Sequence, residues 1–169
     1  MVKEKMFRRG NGRTKVSRSE MIRLIAGFIA EDIANEYEIT IGTDSQTGFD
    51  SKIVDVVAIH RIGHGGIFFY HTDHIKRFRT LTEKIYEETR RSLEDAQDFT
   101  DDLGLTLLEK NIDIDTLKVR FQIHCDIGHD GKTQSLIKEI TAWVRSVGYD
   151  VAIKPDSYAA SAIANKFSK

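Results

Sequence analysis

The sequence predicts an α/β fold: a mixed five-stranded sheet, three strands antiparallel and then two parallel, with helices on both faces. Three observations carry this expectation. Stretches of strand length rich in β-branched residues recur at 37–46, 53–60, 67–71, 117–126 and 149–153. Short polar turns separate the first three, which implies antiparallel hairpins. The last two are each reached through a long stretch with apolar residues at helical spacing. Such crossovers call for right-handed connections and parallel pairing.

The elements follow in order. Residues 1–18 carry Lys3, Lys5, Arg8, Arg9, Arg13, Lys15 and Arg18 against Glu4 alone. They are expected to form a flexible basic arm, either contacting phosphates or merely solvated. Residues 19–169 are expected to form one domain. It opens with a helix over 19–37, where Met21, Leu24, Ile25, Phe28, Ile29 and Ile33 recur at helical spacing and Ser17 or Ser19 supplies the cap. The first strand, 37–46, ends in Gly42-Thr43-Asp44-Ser45-Gln46. Two further strands follow, joined by the Gly63-His64-Gly65-Gly66 reversal.

A helix is expected from about 80 to 108, broken near Gly104. Stepping about 100° per residue from Ile85 places Leu81, Ser92, Ala96 and Phe99 on one side. Glu88 falls at the edge of that side, and Glu83 and Glu87 fall opposite. The fourth strand alternates cleanly, with Val119, Phe121, Ile123 and Cys125 facing one way and Arg120, Gln122, His124 and Asp126 the other. A helix over 133–147, a short strand over 149–153 and a last helix over 157–166 complete the chain. Lys154-Pro155-Asp156 opens that last helix.

Composition narrows the function. The chain has 169 residues, enough for one domain with a real core. A net charge of −1 gives no global electrostatic case for nucleic acid or membrane. The single Cys125 excludes an internal disulfide and suits a reducing cytoplasm. No apolar run reaches the length of a membrane span, and the N-terminus lacks the apolar core of a signal peptide. A cytoplasmic location is expected.

The informative residues are acids. Asp44 ends the first strand and Asp126 ends the fourth; if those strands are parallel neighbours, both carboxylates leave one end of the sheet, where open α/β sheets bind ligands. Glu88 points inward from the long helix, and Asp156 stands at the mouth of the last one. Convergent carboxylates repel unless cations lie between them, and oxygen-only ligands suit Mg²⁺ or Mn²⁺. Each acid also has a structural reading: Asp44 as a turn residue, Asp156 as a helix N-cap, and Glu83 as the partner of Thr80 in a capping box. His124, Cys125 and His129 have soft-metal ligand types, but no second ligand pair supports zinc.

This order of elements, with acids at these points, resembles the ribonuclease H-like superfamily. The stretches Ile41-Gly42-Thr43-Asp44-Ser45-Gln46 and His124-Cys125-Asp126-Ile127-Gly128, with the ending from Ile153-Lys154-Pro155 to Ala164-Asn165-Lys166, look like the YkuK-type bacterial proteins within it. The resemblance implies a metal-dependent nuclease. Asp44, Glu88, Asp126 and Asp156 would bind two Mg²⁺ or Mn²⁺ ions about 4 Å apart for phosphodiester hydrolysis. The substrate would be RNA, an RNA–DNA hybrid or structured DNA. Family practice places the helical acid in the first helical turn, which favours Glu83; the apolar stripe favours Glu88. The alternative is a non-catalytic nucleic-acid or protein binding module that keeps the fold, since a fold alone does not fix an activity.

Overall fold

The computed structural model describes residues 4–10, 12–46, 52–129 and 131–157. The strands are β1 (Met6–Arg9), β2 (Lys15–Ser17), β3 (Glu36–Gln46), β4 (Lys52–Arg61), β5 (Gly66–His74), β6 (Lys118–His124) and β7 (Asp150–Ala152). The helices are α1 (Arg18–Ala30), α2 (Leu81–Glu109) and α3 (Ile137–Ser146). All strands join one sheet in the order β2-β1-β5-β4-β3-β6-β7. β3, β4 and β5 form the antiparallel meander. β6 lies parallel to β3, and β7 parallel to β6. The class is α/β, with seven strands rather than five.

The two additional strands correct the expectation of a flexible arm over 1–18. β1 and β2 pair as a hairpin, and β1 extends the sheet past β5. The reason is apolar. Phe7 and Val16 face each other across the hairpin and are almost fully buried, which stabilises the strands by removing that area from water. Two of the basic residues are also committed: Lys5 reaches Asp55 and Asp95, and Arg18 pairs with Asp102. They are not free to contact phosphates.

α1 starts where Ser17 accepts a hydrogen bond from the Glu20 N–H at 3.1 Å. It ends at Ala30, seven residues before the expected limit. Tyr37 is already in β3, and its hydroxyl donates to the Asp32 carbonyl at 2.8 Å. Ile33, expected on the helical stripe, is exposed in the intervening turn. α2 runs unbroken through Gly104, capped by Thr80, which accepts from the Glu83 N–H. The expected helix over 133–147 is a 3₁₀ turn, Gln134–Leu136, followed by α3.

The main core unites the three helices with one sheet face. Ile25 and Ile29 of α1, Ile85 and Phe99 of α2, and Ile140 and Val144 of α3 meet Ile39 and Ile41 of β3 and Ile123 of β6. Val54, Val56 and Tyr70 form a second buried cluster on the opposite face. The described helices therefore lie on one face rather than on both. Beyond Ser157, the expected last helix lies outside the described residues; 154–157 form a turn. No described helix is long and apolar enough to cross a membrane.

Candidate functional site

β3 is an interior strand between β4 and β6, and its register with β6 positions the acids. Gly42 pairs with His124 at the last parallel rung. Continuing two residues along each chain brings Asp44 level with Asp126, so both leave the same sheet end. Their charges interact: burial raises the Asp44 carboxyl above its ordinary value, Lys84 pulls it down and Asp126 pushes it up. Between them comes α2. Ile85, Ser92 and Ala96 turn that helix face onto the sheet, and Glu88 turns with them, 4% exposed.

The structure chooses between the two helical candidates. Glu88 accepts from the Ser45 hydroxyl at 2.9 Å through Oε1, and the same oxygen pairs with the Lys84 ammonium at 2.9 Å. Glu83 is exposed at the helix start, where its carboxylate accepts from the Arg79 N–H at 3.0 Å. It serves the helix terminus and stands away from the site.

Two lysines belong to this group. Lys84 Nζ lies 3.9 Å from Asp44 Oδ1 as well as against Glu88. Lys154 Nζ lies 2.9 Å from Asp126 Oδ1. Three carboxylates thus face two ammoniums, leaving one net negative charge. Lys84 was detectable in the sequence, since it stands four residues before Glu88 on the same side of a helix. Lys154 is more than half exposed and sends no such signal.

Asp156 lies in the turn after Lys154. It is exposed, and its carboxyl makes no ion pair with Lys84 or Lys154 among the described residues. Its charge acts on His124, whose ring burial holds below the usual histidine range while Glu38 and Asp156 pull it up. His124 hydrogen-bonds Gln122 at 3.0 Å, and its Nδ1 is buried without a partner. Cys125 is buried, and burial pushes its thiol up to about 12, so it is no nucleophile at neutral pH.

The donors fit a divalent cation in type: three carboxylates, hard oxygen ligands. Glu88 Oε2 also fits, being buried without a hydrogen-bond partner. Three carboxylates suffice for one ion rather than two, and only when drawn closer together than they stand. Among the described residues no three His, Cys, Asp or Glu side chains converge tightly enough to hold a metal ion. Lys84 stands between Glu88 and Asp44, and a second ion beside the two ammoniums would leave a large excess of positive charge.

Burial pushes Glu88 up to about 7, against the pull of Lys84. A carboxyl whose folded value lies above its ordinary 4.5 contributes stability that is complete below that value and lost as pH rises through about 7. Glu88→Gln in metal-free protein is therefore expected to stabilise the fold at pH 8 by on the order of 2–3 kcal/mol, read as a higher melting temperature. At pH 4.5 the gain should vanish. A gain of the same size at both values, measured by calorimetry in chelator, would show that Glu88 is not held in its protonated form.

A second polar network was missed in the sequence. Asp55 of β4, 1% exposed, pairs with Lys5 and Arg91, each at 2.7 Å. It also accepts from Thr43 at 3.0 Å, and the Ser92 hydroxyl donates to Thr43 at 2.8 Å. These contacts fasten α2 and β1 to the strands beneath the acids. The signal was present: an Asp inside Ile53-Val54-Asp55-Val56-Val57 is a charge in a buried strand, which persists only when paired.

A family model described as "Ribonuclease H-like" matches residues 20–169. The "Uncharacterized protein YkuK" of Bacillus subtilis (strain 168) is 35% identical over 160 residues, spanning 89% of this chain and 90% of that protein. No solved structure gives a significant match.

Proposed function

The chain belongs to the ribonuclease H-like family, and from that premise we propose that it hydrolyses phosphodiester bonds in nucleic acid with one Mg²⁺ or Mn²⁺ ion. The observation that supports this most is that Asp44 feels the charge of Asp126 on one side and of Glu88 on the other, with Glu88 buried and one of its oxygens unpartnered. Asp44 and Asp126 would hold the ion, and Glu88 would complete its shell. When bound, the ion supplies an activated water and a Lewis acid at the phosphate. Lys84 and Lys154 bring positive charge where a phosphate would lie, as a second ion does in two-ion sites. Ser45 keeps Glu88 oriented by its hydrogen bond. Asp156, named with these acids by the family resemblance, is left out of the proposed site.

A non-catalytic nucleic-acid binding module is favoured by one observation: the two ammoniums already offset most of the acidic charge. A panel of single-stranded RNA, RNA–DNA hybrid and branched DNA distinguishes the two. The proposal expects Mn²⁺-dependent nicking of at least one member and none in chelator. Salt-dependent binding without nicking of any member would overturn hydrolysis and leave the binding module.

A further inference from the structure

A second feature of α2 lies about a third of a turn round the helix from Lys84 and Glu88. Ile75, Phe78, Tyr86 and Trp143 line an open groove of about 480 Å³, with Lys76 and Arg77 on its rim. That volume lies in the range of small-molecule sites. The Tyr86 and Trp143 rings stack with centroids 5.7 Å apart and planes 26° from parallel. Both rings are only partly covered. The nearby Glu139 carboxylate holds the Tyr86 hydroxyl above its ordinary pKa.

The charges around the groove are unequal in their commitments. Glu87 is held by Arg90 through two contacts, at 2.7 and 2.9 Å, and Arg90 also binds Glu94. Glu83 accepts from the Arg79 N–H. Lys76 and Arg77 are exposed and have no ion pair among the described residues. What remains uncommitted is an aromatic wall with two cations beside it. That is the chemistry of a nucleobase with its phosphate: the base stacks on the ring, and the cations meet the phosphate.

We propose that the Tyr86–Trp143 groove binds an unpaired base of a nucleic-acid strand, with Lys76 and Arg77 holding the adjoining phosphate. The inference rests on the nucleic-acid reading above and adds the class of substrate, a strand with at least one unstacked base. The groove and the acids share the same two turns of α2, so a helix width of about 10 Å separates them. A strand engaged in the groove would place a neighbouring phosphodiester near Asp44, Glu88 and Asp126.

Trp143 is the chain's only tryptophan, so its emission reports on the groove directly. The full chain is titrated in chelator with a short single-stranded oligonucleotide, following Trp143 fluorescence and, separately, the anisotropy of a labelled oligonucleotide. The expected result is saturable quenching that matches the anisotropy. Lys76→Ala with Arg77→Ala should weaken binding about tenfold and lower the salt slope by about 1.4, since each of the two cations in a phosphate contact contributes about 0.7 on single strands. Both residues are exposed loop positions, so this variant tests the site without disturbing packing. Trp143→Leu should weaken binding with the slope unchanged.

Absence of binding, binding without quenching, or binding indifferent to Lys76→Ala with Arg77→Ala would overturn the inference. Equal quenching by a fully paired duplex would overturn the requirement for an unpaired base. Equal affinity for a free mononucleotide would assign the groove to that ligand instead of a strand. Quenching in a protein that nicks nothing would leave the groove standing and the hydrolase reading lost. Nicking without quenching would do the reverse.

Discussion

Asp126→Asn is expected to lower Mn²⁺-dependent cleavage by more than about 100-fold, because a lost anionic ligand costs more than the 10–100-fold typical of the groups that support one. Nucleic-acid affinity should stay the same or rise. Asp126 holds Lys154 at 2.9 Å, and an amide releases that ammonium toward phosphate. The variant should therefore bind with an equal or steeper salt slope while failing to cleave. Asp156→Asn is the comparison: an exposed carboxylate with no ion pair to Lys84 or Lys154 among the described residues should change cleavage little. Parallel measurements of cleavage at saturating substrate and of affinity at two salt concentrations separate these effects. If Asp156→Asn cuts cleavage as deeply as Asp126→Asn, the acid placed outside the site belongs in it. If Asp126→Asn retains activity, the ion does not sit at the ends of β3 and β6.

The parts of the site legible in the sequence were those that depend on periodicity. Asp44 and Asp126 stand at strand ends, and two-residue periodicity assigned Asp126 to its strand's polar face. Helical phase ranked Glu88 ahead of Glu83, since only the first lies near Ser92 and Ala96; it is the fold that buries Glu88 and exposes Glu83. Of the lysines, Lys84 is legible only through its spacing to Glu88 and Lys154 not at all, because a lysine's ordinary place is solvent and only a partner makes it otherwise. Those partners come from long-range contacts: Lys84 to Asp44 spans two elements, and Lys154 reaches back to Asp126. The β1–β2 hairpin was hidden for a related reason. Its strands have four and three residues, too few for alternation to show among so many basic side chains. Only the pairing of Phe7 with Val16 shows that they belong to the core.

Asp55→Ala is expected to cost about 3–5 kcal/mol, the loss typical when one partner of a buried ion pair is removed. That is a large part of the stability of a domain this size, about 5–15 kcal/mol. The wild-type carboxylate is held by Arg91 and Lys5 and by the Thr43 hydroxyl. Alanine leaves the Arg91 guanidinium, 17% exposed, without its closest acid, and removes the acceptor for Thr43. Without Lys5, Asp55 still keeps Arg91 at 2.7 Å, so Lys5→Met should cost much less than Asp55→Ala. Burial works against the Asp55 charge, but Arg91 and Lys5 outweigh it and hold the carboxyl below the usual range. A lowered value contributes stability above the ordinary carboxylate pKa of about 3.9, and that stability is lost as pH falls below it. Urea titrations at pH 7 and pH 3 should show the gap between wild type and Asp55→Ala narrowing in acid. Asp55→Ala with Arg91→Met should recover part of the loss, because no lone buried cation remains and the apolar chain fills its place. A double variant no more stable than Asp55→Ala, or a gap that does not narrow in acid, would mean that the pair's charge is not what fastens α2 to β4.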